Sequence, residues 1–124
     1  PRTREAVRLI LDRQLPGGGC NYGNTVVLGQ RLRPHVQPTG IALLALAGQS
    51  DGDSRIVKSI AWLRRSIGPE TTAASLAWAV LGLKAHGAAP SRADEWLAQA
   101  AGTLRVPSPH ALALLALAAK GWPT

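Results

Sequence analysis

Three segments of this chain are apolar around nearly the whole circumference of a helix, and this feature constrains the fold more than any other. The two clearest are Gly40–Ala47 and Ala111–Ala119, and the third begins at Thr71 or Thr72 and runs through Leu83. A helix that is apolar on every side has to be buried on every side. We therefore predict that each segment lies in an inner layer, where other helices cover it.

An amphipathic segment precedes each apolar one, and these three segments supply the covering helices. Each carries its apolar side chains at helical spacing. The apolar stripes comprise Val7, Ile10 and Leu11 in the first segment, Ile56, Ile60, Leu63 and Ile67 in the second, and Trp96, Leu97 and Ala100 in the third. No segment alternates with the period of two that marks a half-buried strand. The sequence therefore predicts an all-α protein with essentially no strand.

The pairs of helices repeat along the chain. Trp62-Leu63 recurs as Trp96-Leu97, and Leu81 and Leu115 are separated by the same number of residues. Self-similarity at a fixed period indicates a repeat architecture. We predict one domain over residues 1–124, built from three helical hairpins at about residues 2–48, 54–87 and 91–121.

A long connection, Gly17–Pro38, joins the first two helices and contains five glycines and two prolines. Connections of this length are unusual in a compact domain and are more often functional than filler. Thr39 follows it at the position of a helix N-cap. We predict that the connection is ordered and packs on the start of the Thr39 helix, with Val26, Val27 and Leu28 available to anchor it.

The net charge of +7 comes mostly from arginine, which stays ionised at any physiological pH. The arginines are spread along the chain, and the closest pairs are Arg31/Arg33 and Arg64/Arg65. A basic tail that binds nucleic acid contains runs of five or more like charges. We therefore interpret the charge as a solvated outer face and do not predict a nucleic-acid partner.

The cysteine content and the apolar runs bear on where the protein resides. A single cysteine, Cys20, excludes an internal disulfide, and we predict a cytoplasmic location. The longest apolar runs are far shorter than the roughly 20 residues of a bilayer span, so no transmembrane segment is predicted. The chain begins at Pro1 and contains no methionine, so we expect a processed protein or a piece of a longer one.

Residues 18–48 carry a resemblance to a known family. Gly18-Gly19-Cys20-Asn21-Tyr22-Gly23-Asn24, followed by a Thr39-led Ala/Leu helix, resembles the repeat of the squalene cyclase and prenyltransferase superfamily, and in particular uncharacterised bacterial proteins that carry it. The resemblance implies an α/α toroid, in which inner and outer rings of helices surround an apolar cavity for isoprenoid-like ligands. Three hairpins would form about half of such a ring.

The chain lacks the catalytic motifs of the enzymes it resembles. The cyclases protonate their substrate from an Asp-rich motif, whereas Asp51-Gly52-Asp53 lies in a polar turn between two helices. The prenyltransferases bind zinc through Asp, Cys and His, but no pair among Cys20 and the three histidines has the spacing of zinc ligands. We predict no metal and no cofactor, and the question of enzymatic activity stays open.

The candidate ligand-binding residues lie in the long connection and on the inner helices. They are Asn21, Tyr22, Asn24, His35, Thr39 and Trp78. The polar side chains could orient a ligand at the mouth of a cavity, and Trp78 could face that cavity. The alternative interpretation is structural, because asparagines in such connections hydrogen-bond the local backbone and a tryptophan packs between helices.

Three functions agree with this sequence. The first is a toroid-type domain that binds an apolar, isoprenoid- or lipid-like molecule. The second is a fragment of an enzyme that resembles a terpenoid cyclase or a prenyltransferase, and the third is a helical-repeat scaffold for an acidic partner. A half ring would expose apolar inner helices, which are rarely left open on a soluble monomer. We therefore expect either a homodimer or a missing remainder of a parent chain.

Overall fold

Six α-helices and one small β-hairpin make up the protein in a computed structural model that describes residues 2–23, 25–104 and 108–123. The helices are α1 (Arg2–Asp12), α2 (Val36–Ala45), α3 (Ser54–Ser66), α4 (Ala73–Ala85), α5 (Ala93–Gly102) and α6 (Pro109–Lys120). The strands are β1 (Val26–Val27) and β2 (Gln30–Arg31). The prediction of an all-α protein is confirmed.

The helices form two layers around α4. Helices α2 and α6 both pack on α4, while α3 contacts α2 and α4, and α5 contacts α4 and α6. Seven of the 13 residues of α4 are buried: Leu76, Ala77, Ala79, Val80, Leu81, Gly82 and Leu83. An apolar helix of this kind has no face that water could cover, so it occupies the centre of the domain.

Two glycines allow α2 and α4 to approach one another backbone to backbone. A Cβ atom added to Gly40 would lie 2.5 Å from the carbonyl oxygen of Trp78, and one added to Gly82 would collide with the carbonyl oxygen of Gly40. Real Cβ atoms do not come this close to backbone atoms. The separation of the two inner helices therefore depends on the absence of side chains at both positions.

Helix α1 is the most exposed element of the outer layer. Leu11 is its one buried residue, and Val7 and Ile10 are partly buried against the core. On its outer face Arg8 forms ion pairs with Glu5 and Asp12, and Arg55 of α3 reaches Asp12 at 3.3 Å. Ion pairs this exposed contribute little to stability. The attachment of α1 therefore depends on its short apolar stripe and on the connection that follows it.

The β-hairpin is a departure from the prediction of essentially no strand. Val26 pairs with Arg31 and Val27 with Gln30, and Leu28 and Gly29 form the turn with φ angles of 50° and 76°. Two positive φ angles belong to the turn type whose twist suits a two-residue hairpin. Strands of two residues are too short to produce a recognisable alternation, so the sequence pattern did not indicate them.

None of the helices in the described part of the chain combines the length and the apolar character that a bilayer crossing requires.

Candidate functional site

The connection between α1 and α2 begins with two glycines that are seated against α3. Gly18 and Gly19 have φ angles of 100° and 78°. A Cβ atom on Gly19 would lie 2.7 Å from Cβ of Pro34 and 2.9 Å from the ring of Trp62, and one on Gly18 would collide with the carbonyl of Lys58. Both the backbone conformation and the available space require glycine here. The start of the connection is thereby held against the outer helix of the next hairpin.

Buried hydrogen bonds fix the same segment. The Gly19 N–H donates to Ser59 Oγ at 2.9 Å, and the Ser59 hydroxyl donates to Gln14 Oε1 at 2.7 Å. Gln14 in turn donates through Nε2 to the carbonyl oxygen of Ile10 at 3.0 Å. Ser59 is fully buried and Gln14 nearly so. This chain of bonds ties the end of α1 and the connection to α3.

Thr39 anchors the other end of the connection. Its hydroxyl oxygen accepts the Cys20 N–H at 3.0 Å, and its hydroxyl donates to the His35 carbonyl at 2.7 Å. The His35 N–H donates to the Cys20 carbonyl at 2.9 Å, which pairs the two ends of the connection. Thr39 is not the N-cap that the sequence predicted, because α2 begins at Val36 and takes Pro38 into its first turn. A proline is tolerated there, since the first N–H groups of a helix have no intrahelical partner.

A groove of about 440 Å³ lies between α1 and α2. Its walls are mostly apolar, and residues Cys20–Gly23 line it as well. The apolar lining comprises Leu9 and Ile10 of α1 and Pro38, Ile41, Ala42 and Ala45 of α2. Leu9 is 45% exposed and Ile41 is 41% exposed, so apolar side chains on both walls face open space.

Polar groups gather where the connection lines the groove. Arg13 donates through Nη1 to the Gly23 carbonyl at 2.8 Å, and Asn21 Oδ1 accepts the Gly23 N–H at 3.2 Å. Arg13 is the one charged residue among those that line the groove in the described part of the chain. A smaller cavity of about 290 Å³ adjoins Asn21–Gly23 and is also lined by Leu32, Arg33 and His35.

The structure brings some of the predicted site residues together and separates others. Asn21 and Tyr22 line the groove, and His35 lines the adjoining cavity with its ring 5.6 Å from that of Tyr22. Thr39 is fully buried beneath the connection, and Trp78 lines neither cavity. Asn24 lies outside the described residues.

The sequence analysis did not identify the apolar walls of the groove. Leu9 of α1 and Arg13, which follows α1 directly, are four residues apart, and Ile41 and Ala45 are spaced in the same way on α2. This spacing places each pair on one side of its helix. This spacing was the only feature of the sequence that pointed to the groove. Spacing alone does not show which side of an apolar helix the neighbouring helices leave uncovered.

Cys20 lies at the border of the groove as a buried thiol. Burial raises the pKa of this thiol, and hydrogen bonds with the side chains of Thr39 and Gln14 act against the rise. A thiol is far less nucleophilic than a thiolate. The environment of Cys20 therefore favours a packing role over a nucleophilic one.

Within residues 2–23, 25–104 and 108–123, no group of three or more His, Cys, Asp and Glu side chains could share a metal ion. Comparison of the chain with family models, with curated protein sequences and with solved structures returns no match.

Proposed function

We propose that this domain binds an apolar, isoprenoid- or lipid-like molecule, and that the groove between α1 and α2 holds the apolar part of that ligand. The observation that carries the proposal is the exposure of Leu9 and Ile41 on facing walls of a groove of about 440 Å³. Ligand sites are concave, mostly apolar and roughly 300–1,000 Å³ in volume, with a few polar groups that fix orientation. The groove has this size and this composition.

The two-layered arrangement of the helices supports the interpretation of the fold as part of an α/α toroid. The proposal of ligand binding does not depend on that interpretation. The apolar helix α4 contacts both other apolar helices, α2 and α6. Helix α3 contacts α2 and α4, and α5 contacts α4 and α6. This is the order expected of consecutive hairpins in an α/α toroid. We propose binding rather than catalysis, because none of the described residues that line the groove carries a carboxyl group to act as an acid.

A substitution on one wall of the groove tests the proposal. Replacing Ile41 by Asp is expected to weaken the binding of farnesol, an uncharged isoprenoid alcohol, by tenfold or more. The reason is that contact with a buried aliphatic side chain contributes about 1.5–3 kcal/mol, and a carboxylate in its place opposes an apolar ligand. Affinity is measured by displacement of the neutral dye Nile red.

Val57→Asp is the matched control for Ile41→Asp. Val57 is an exposed branched side chain on α3 and does not line the groove. Its substitution should leave farnesol binding unchanged. The proposal fails if the wild-type protein does not bind farnesol, or if Ile41→Asp binds it as well as Val57→Asp does.

A second candidate function is assembly with another copy of the chain. Within the chain, α2 packs against the helices that follow it, α3 and α4. The groove between α1 and α2 lies at the start of the row of inner helices, where no earlier inner helix of the described chain packs on α2. At the far end, Leu112 of α6 is 45% exposed on an almost wholly apolar helix. Helix α6 of one copy has the apolar character needed to fill the groove of another.

Light scattering at micromolar protein concentration tests this second candidate. We expect the wild-type chain to have the mass of two copies and Leu112→Asp to have the mass of one, because a buried unpaired carboxylate strongly disfavours an apolar contact. Saturating farnesol should also dissociate the dimer, since the two occupants would compete for one groove. A wild-type protein of single-chain mass would rule this candidate out.

A further inference from the structure

The positive charge of Arg13 at the end of the groove indicates which kind of head group a ligand would have. Arg13 follows directly after α1, and its bond to the Gly23 carbonyl holds the guanidinium beside the groove. A guanidinium presents five N–H donors in a planar fork that matches a carboxylate in two parallel hydrogen bonds. The contact with Gly23 uses one of these donors, so Arg13 can still present donors to a ligand.

None of the described residues that line the groove is acidic, so no lining side chain balances the charge of Arg13. The sequence contains no Asp or Glu between Arg13 and Ser50, although Arg31 and Arg33 lie in that stretch. The preceding residue, Asp12, is engaged by Arg8 at 2.9 Å and by Arg55 at 3.3 Å. The polar end of the groove therefore has a net positive charge.

The neutral amides at the same end already have partners in the protein. Gln14 donates to the Ile10 carbonyl and accepts from Ser59, and Asn21 accepts the Gly23 N–H. Their hydrogen bonds support the local backbone, as side chains of this kind often do in turns. Arg13 remains the group best placed to recognise the polar part of a ligand.

We propose that the ligand is a single-chain carboxylate, whose tail lies along α2 and whose head group accepts hydrogen bonds from Arg13. This inference rests on the proposed function, because it assumes that the groove binds an apolar chain. One guanidinium neutralises one negative charge, which favours a carboxylate over a head group with several charges. The groove wall from Pro38 to Ala45 rises roughly 10 Å along the helix axis, which suits an extended chain of about eight to ten carbons.

Decanoate and 1-decanol separate the contribution of the head group from that of the tail. Calorimetric titration at low ionic strength should show decanoate binding tenfold or more tightly than decanol, because hydrogen bonds to charged groups are the stronger ones. Arg13→Gln should abolish this preference, because it should weaken the binding of decanoate far more than the binding of decanol. Arg13→Lys should restore only part of it, since lysine keeps the charge and lacks the planar fork.

Arg65→Gln is the matched control for the charge, because Arg65 is an exposed residue of α3 away from the groove. It should bind both ligands as the wild type does. If neither ligand binds the wild-type protein, the proposed function itself fails. If both bind with equal affinity, or if Arg13→Gln keeps the preference for decanoate, the groove binds apolar chains and the inference about the carboxylate is wrong.

Discussion

Gly82→Ala is expected to lower the free energy of unfolding by at least about 2 kcal/mol, even though alanine is the better helix former. The new Cβ atom would collide with the carbonyl oxygen of Gly40, which belongs to the backbone of α2 and cannot rotate away. The inner helices would have to separate. Overpacking costs about 1–3 kcal/mol and occasionally more, and a Cβ atom that collides with a backbone oxygen belongs to the upper end of that range or beyond it. The gain of about 1 kcal/mol in helix propensity offsets only part of that cost.

Urea unfolding followed by circular dichroism measures this loss, with Gly102→Ala as the control. Gly102 is the last residue of α5, and an added Cβ atom there meets nothing within 4 Å. The same substitution should therefore leave stability unchanged or raise it by up to about 1 kcal/mol. If Gly82→Ala is as stable as Gly102→Ala, α2 and α4 are not in backbone contact.

Thr39→Val is expected to cost about 1–3 kcal/mol, although the two side chains have nearly the same shape. The substitution removes the acceptor of the Cys20 N–H and leaves that buried donor without a partner, which carries the full cost of its desolvation. The His35 carbonyl loses the stronger of two contacts, because it also accepts the Thr39 N–H at 3.3 Å. The same unfolding measurement gives the loss of stability.

Two further variants serve as controls for Thr39→Val: one keeps the hydroxyl of Thr39 and removes its methyl group, and the other removes the hydroxyl of an exposed threonine. Thr39→Ser keeps the hydroxyl and should lose only about 1 kcal/mol for the missing methyl group. Thr103→Val removes an exposed hydroxyl that contacts the Ala100 carbonyl at 3.3 Å and should change little. Alkylation of Cys20 by iodoacetamide should be faster in Thr39→Val than in Thr39→Ser. Equal rates and equal stabilities would mean that the hydroxyl does not hold the connection in place.

The sequence predicted the helices well where apolar residues recur with the helical period. The stripe of Ile56, Ile60 and Leu63 predicted α3, and the apolar character of residues 73–83 predicted the burial of α4. Both patterns sum over many residues, so a single unfavourable position does not obscure them. The start of α2 was misplaced, because Pro38 and Thr39 resemble a helix boundary and here occupy the first turn instead.

The candidate site was harder to predict, because its walls depend on what the neighbouring helices leave open. Asn21 and Tyr22 were identified because the connection that contains them has an unusual composition. Composition is a property of a short stretch of sequence and needs no knowledge of the fold. Ile41 belongs to a helix that is apolar on every side, so its sequence position does not distinguish a groove wall from the core. Arg13 was indistinguishable from the other dispersed arginines until its bond to Gly23 and the groove beside it were visible.

The seating of Gly18 and Gly19 against α3 has a consequence for how this protein can be divided or rebuilt. Helical repeats are often treated as interchangeable modules that contact only their neighbours through similar surfaces. Here the connection that closes the groove belongs to the first hairpin, while Ser59, Trp62 and the Lys58 carbonyl that support it belong to the second. If the first hairpin were transferred alone to another protein, its connection would lose the α3 residues that support it. The smallest fragment that retains the groove therefore includes α3.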